Sequence, residues 1–173
     1  MRSELQNKLQ GGKNRSAGKL FEAMISKSFE YYRKGGIAII DKTPEPMRPI
    51  RNMGNGHFEC VFEHKAQPDY KGILRGGQSF VCETKCTQNA KLHKDVVTRW
   101  QAAYLNEARD FGAWCFVIVG FFSSGICNVY KIPWEIWDCM EDYFGRKYVT
   151  ETDLQQYKIE KRFDRYLLLK DGY

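Results

Sequence analysis

At 173 residues the chain is long enough to bury a core as one domain without disulfides or a structural metal. Its 27 Lys and Arg against 21 Asp and Glu give a formal charge of +6 and a pI near 9.0, which favours an anionic partner and puts nucleic acid first. The longest apolar run, residues 113–122, is about half a membrane span and the polar N-terminus has no apolar h-region, so the composition excludes a membrane protein and predicts a cytoplasmic one.

Residues 1–15 lack apolar periodicity and carry Gly11-Gly12, so they read as a flexible basic arm whose Arg15 can reach a phosphate. From Ser16 a helix is predicted: Phe21, Ile25, Ser28, Phe29 and Tyr32 fall at helical spacing, and Gly35-Gly36 supplies a stop. Residues 36–42 read as a buried strand, interrupted by Thr43-Pro44-Glu45-Pro46. Residues 44–65 turn polar and basic and then strand-like, which predicts a protruding loop or hairpin, a stalk inserted between the first strands. Two strands, 70–74 and 79–85, are joined by Arg75-Gly76-Gly77 as a hairpin. Residues 94–111 form a second amphipathic helix with Val97, Trp100, Tyr104, Ala108 and Phe111 on one face. Strands at 113–122 and 127–132 follow, then a helix at 134–144 after Pro133, a short helix at 153–157 and a strand at 166–169. The order predicts an α/β fold, a mixed central β-sheet flanked by helices, with residues 16–173 as a single domain. Six cysteines without a CxxC pair read as reduced, mostly buried thiols, and Cys82, Cys86 and His93 lack a fourth zinc ligand at finger spacing.

The chemistry concentrates on residues 68–85. On the strand 79–85 a period of two puts Val81, Glu83 and Lys85 on one face, so a carboxylate and an amine project together. If the glycine turn folds Pro68-Asp69 back on that strand, Asp69 approaches Glu83. Two carboxylates then serve as oxygen ligands for Mg²⁺, which lowers the pKa of an attacking water and neutralises a scissile phosphate, while Lys85 stabilises developing charge. An isolated E-x-K is more often a same-face salt bridge; the preceding Pro-Asp and the basic chain change its weight. Glu22, early in the first helix, offers a further oxygen or a favourable helix-terminal charge. Gln101 either orients water or a phosphate or is an ordinary solvated position. Arg48, Arg51, His57, Lys65, Lys71, Arg75 and Arg99, with His64 and Tyr70 interleaved, make a candidate phosphate-tracking set.

The pieces GKLFEAMISKSFEYY, GIAIIDKTPEP, QPDYKG, RGGQSFVCETK, RWQ and GAWCFVIVGF, in this order from about Asn14 to Trp137, resemble the RecU-type Holliday junction resolvases and their relatives in phages of Gram-positive bacteria, within the PD-(D/E)xK nuclease superfamily. The resemblance implies a restriction-endonuclease-like core and a Mg²⁺-dependent homodimer, Mn²⁺ substituting, that places paired nicks in a four-way DNA junction. It also implies that Glu22, Asp69, Glu83 and Lys85 are the catalytic positions, that the three carboxylates hold metal, that Gln101 assists, and that residues 44–65 form the stalk entering the junction. A recombinase is a further partner consistent with such a role. Cys86 stands where the family pattern has an acidic residue after the catalytic lysine, and the Gly54-Asn55-Gly56 tip is unusually glycine-rich. Two other functions fit the same residues: a nuclease of this fold cutting linear or other branched DNA, and a non-catalytic protein that binds branched DNA.

Overall fold

The computed structural model describes residues 4–62 and 67–169, with side chains from Arg15 onward. Its elements are α1 (Glu4–Lys34), β1 (Ala38–Lys42), β2 (Met47–Gly54), β3 (His57–Phe62), β4 (Tyr70–Leu74), β5 (Ser79–Thr87), β6 (Leu92–His93), α2 (Arg99–Asp110), β7 (Trp114–Ser123), β8 (Ile126–Pro133), α3 (Trp134–Asp138), α4 (Met140–Phe144), β9 (Tyr148–Val149), β10 (Lys158–Ile159), β11 (Lys161–Arg162) and β12 (Arg165–Tyr166). A central sheet has the order β1-β4-β5-β7-β8-β10. Its pairings are antiparallel except β5 with β7, which run parallel and are joined through α2, the crossover that a parallel pair requires.

Alternation along β5 builds the two cores. Phe80 and Cys82 point to one face and pack with Phe21, Ile25, Phe29 and Tyr32 of α1. Val81 points to the other, with Leu105 of α2 and Trp134 and Trp137 of α3. This is the predicted mixed sheet flanked by helices. Two glycines allow close approach: a Cβ on Gly120 would sit 2.5 Å from the Phe21 ring, and one on Gly72 would sit 2.0 Å from the Ile39 carbonyl oxygen. Apart from the central sheet, β2 and β3 form their own two-stranded sheet with every residue exposed, and its register shifts at Pro49/Arg51 and again at Asn52/Gly54.

Several boundaries differ from expectation. The helical backbone begins at Glu4, not Ser16, so it runs through the segment predicted as an unstructured arm. Residues 4–10 are mostly good helix formers, and extending a helix already formed avoids the nucleation cost, which offsets the roughly 1 kcal/mol penalty of each interior glycine. The second helix starts at Arg99 because Thr98 caps it, and Lys94–Val96 is a separate 3-10 turn. Its buried face is Gln101 and Leu105; Trp100 and Phe111, expected inside, are 40% and 88% exposed. The helix predicted at 134–144 breaks at Cys139 into α3 and α4. The helix expected at 153–157 is a 3-10 turn at Gln155–Tyr157, and the last strand is only Arg165–Tyr166, after which Leu168 and Leu169 pack against the α1 face as irregular chain. All six cysteines are free, but Cys60 and Cys139 are exposed.

Candidate active site

The β4–β5 hairpin pairs Tyr70 with Cys82, so Asp69, one residue earlier, lies beside Glu83. The two are joined directly: the Asp69 backbone N–H donates to Glu83 Oε2 at 3.2 Å. Asp69 Oδ2 is held by the Thr84 backbone N–H at 2.8 Å and the Thr84 hydroxyl at 2.5 Å. Lys85, two residues along the same face, places Nζ 2.7 Å from Glu83 Oε1, and Gln101 of α2 donates from Nε2 to that same oxygen at 2.6 Å. Glu83 occupies what would otherwise be a hydrophobic core position and is 0% exposed. Burial raises its pKa to about 7; Lys85 opposes the shift and the neighbouring Asp69 charge adds to it.

These groups line one cleft of about 400 Å³, walled by Glu22 and Lys42 on one side, Thr43, Pro44, Glu45, Pro46 and Phe62 at the hairpin base, and Gln67. Its ionisable lining is four carboxylates (Glu22, Glu45, Asp69, Glu83) against two lysines (Lys42, Lys85), an excess of negative charge that a cation offsets. The donors are all oxygen, which suits a hard divalent ion that keeps several waters and takes one or two carboxylates. Among the described residues no three His, Cys, Asp or Glu side chains converge as a ready metal cluster. Glu22 reaches the cleft but is engaged by Lys42 Nζ at 2.5 Å, and that hydrogen bond holds Lys42 above the ordinary lysine range. The carboxylate pair brought together is therefore Asp69 and Glu83, with Glu22 across the cleft.

The proposed phosphate contacts divide. Arg48, Arg51 and His57 are exposed on the β2–β3 hairpin above the cleft, and Arg15 is exposed near the cleft-side part of α1. Lys71 sits at the rim, bonded to Gln67 at 2.5 Å and lying 5.3 Å from the Tyr104 ring. Arg75 is not near the cleft: it lies six strand positions from Asp69, about 20 Å at the usual rise, and pins the Gly36 carbonyl at 2.7 Å. Arg99 faces a different cavity, of about 480 Å³, beside Trp134 and Trp137. Tyr70 is buried, its hydroxyl on Ser26 and the Glu22 carbonyl, and so does not face DNA. Lys65 and His64 lie outside the described residues. Sequence reasoning missed Lys42, Thr84 and Thr98. The first was signalled by its place on the edge strand two residues after Ile40; the other two are neighbours of recognised residues whose hydrogen bonds only the fold reveals.

A family model described as Recombination protein U, RecU, matches residues 16–170. The chain belongs to this family. Among its relatives, the Holliday junction resolvase RecU of Streptococcus gordonii is 27% identical over 122 residues, covering 67% of this chain and 60% of that protein. That of Bacillus pumilus is 27% identical over 150 residues, covering 80% of this chain and 70% of that protein. The chain thus spans about three fifths of the length of the first relative and somewhat more of the second. A solved structure of Archaeoglobus fulgidus Hjc, a Holliday junction resolvase, matches at 16% identity and a TM-score of 0.39, covering 74% of this chain and 86% of that one. The succession α1, β1, β4, β5, α2, β7 builds the mixed central sheet flanked by helices that was expected of the sequence.

Proposed function

We propose that the chain is a Mg²⁺-dependent endodeoxyribonuclease that resolves four-way DNA junctions as a homodimer, acting in recombination, repair or phage DNA processing in the cytoplasm. The observation that carries it is the convergence of Asp69, Glu83 and Lys85 in one cleft at the foot of an exposed basic hairpin. Asp69 and Glu83 would hold the ion, Mn²⁺ substituting, which when bound supplies charge neutralisation and an activated water. Lys85 Nζ, anchored by Glu83 and 22% exposed at its side chain, can donate to a phosphate oxygen and stabilise charge developing there. Lys42 faces the cleft from β1 and can do the same from the other wall. Arg48, Arg51 and His57 would carry backbone phosphates along residues 44–65, the stalk, while the exposed Met47, Ile50, Met53 and Phe58 give that hairpin an apolar surface for splayed bases. Residues 16–173 form the nuclease domain in this scheme, preceded by a basic N-terminal segment.

The test is cleavage of a synthetic four-way junction beside a linear duplex of matched sequence, with and without Mg²⁺. Paired nicks confined to the junction and dependent on the ion are expected. A linear duplex cut as fast as the junction would remove junction resolution from the function and leave a general nuclease.

A further inference from the structure

We propose that Thr98, which does not line the cleft, is a positioning residue: through the capping box of α2 it fixes which end of the Gln101 amide faces Glu83, and so sets the Glu83–Lys85 pair. The inference rests on the nuclease reading of the cleft. A glutamine amide has two ends of nearly equal shape and opposite polarity, so its orientation decides whether it attracts or repels a carboxylate. Gln101 Oε1 receives the Thr98 backbone N–H at 3.0 Å and the Thr98 hydroxyl at 3.0 Å, with Lys85 Nζ at 3.5 Å. The backbone N–H and the ammonium can only donate. Turned the other way, the amide would set its NH₂ against those two donors and its carbonyl against Glu83. Held as it is, Nε2 donates to Glu83 Oε1 at 2.6 Å, a contact that solvent cannot readily replace because Glu83 is fully buried.

Thr98 also accepts from the Gln101 backbone N–H at 3.4 Å, so one residue starts the helix and aims its side chain. The two tasks have different chemical requirements. Capping is met by Ser, Asn, Asp or, with little loss, Gly; a hydroxyl donor toward Oε1 comes only from Ser or Thr. Gln101 is one step removed from Glu83, the kind of partner whose loss commonly changes metal affinity by 10–100-fold, and Thr98 acts one step further out.

The experiment titrates Mn²⁺ into the metal-free full chain, read by water-proton relaxation, for wild type, Thr98→Ser and Thr98→Gly, with melting temperatures and junction affinity in EDTA measured alongside. The glycine variant loses the hydroxyl donor but keeps the backbone N–H on Oε1, and is expected to bind Mn²⁺ severalfold more weakly with little change in melting temperature or junction affinity. The serine variant is expected to stay close to wild type. Thr98→Ala, which loses the cap as well as the hydroxyl donor, carries the same expectation for Mn²⁺ affinity, with a lowered melting temperature, should Thr98→Gly not fold. Wild-type Mn²⁺ affinity in the glycine or alanine variant, or a serine variant as weak as glycine, overturns the positioning role while leaving the nuclease reading intact. A wild-type chain that neither binds Mn²⁺ nor nicks a junction overturns both.

Discussion

Glu83 is the residue on which the cleft turns, because it is a carboxylate at a core position with Gln101 and Lys85 on one oxygen and the Asp69 backbone on the other. Replacing Asp69 or Glu83 by Ala is expected to reduce nicking by roughly a hundredfold or more, with junction binding largely retained, since phosphate contacts lie elsewhere. Gel-shift and single-turnover cleavage measured on the same preparations check this. Burial also gives a sign for pH. The Glu83 carboxyl titrates near 7 when folded and near 4.5 ordinarily, so between those values the folded chain holds a proton that the unfolded chain has lost. The stability that Glu83 contributes to the metal-free protein is therefore fully present below about 4.5 and is lost as pH rises to about 7, by up to about 3 kcal/mol. Urea melts across that window should show the decline in wild type and a flatter profile in Glu83→Gln. At this scale the sequence was legible where alternation alone decided: period two placed Glu83 with Lys85, and a glycine turn brought back Asp69. Gln101 was harder, because the aromatics Trp100 and Phe111 mark a plausible apolar face, whereas the helix turns a polar residue inward to meet a buried carboxylate.

Among the elements, the β1–β4 pair is the tightest joint near the site. Gly72 packs against the Ile39 carbonyl so closely that an added methyl would meet backbone on both Ile39 and Ile40, and backbone cannot rotate away. Gly72→Ala is expected to destabilise the fold by about 3 kcal/mol or more, read from denaturant midpoints at unchanged m-value. The loss would reach the cleft, because β1 carries Lys42 and β4 follows directly from Asp69. Elements with strong periodicity were readable from sequence, as α1 and β7 show. Short ones were not: β9, β10, β11 and β12 are two-residue pairings that tertiary packing makes, and Cys139 breaks a helical pattern that has no proline or glycine to announce the break. Sequence proximity also misled for Arg75, since a strand carries a residue away from its neighbour's site as readily as toward it.

For the whole molecule, the charge of +6 predicts binding dominated by phosphate contacts and weakened by salt. Arg48→Ala and Arg51→Ala should each lower the slope of log affinity against log salt by about 1, whereas Arg75→Ala should leave it unchanged. Filter binding over a salt series without Mg²⁺ decides between them. The mixed sheet and its helices were foreseeable from the order of elements, and family resemblance pointed to the junction as the proposed substrate; spacing alone reached only as far as a proposed metal-dependent attack on phosphate.

The β2–β3 hairpin also bears on how copies of the chain meet one another. Among the described residues this two-stranded sheet stands apart from the main sheet with no further strand on either outer edge, and its faces carry exposed Met, Ile and Phe side chains. Such a ribbon is a template for edge-to-edge association between copies. Pro49 carries no backbone donor to offer a further strand, and the two register shifts interrupt the regular ladder that stacking needs. Arginines along it add mutual repulsion. The surface proposed to hold unpaired bases is thus kept from adhering to itself by one proline, two register shifts and its own charge.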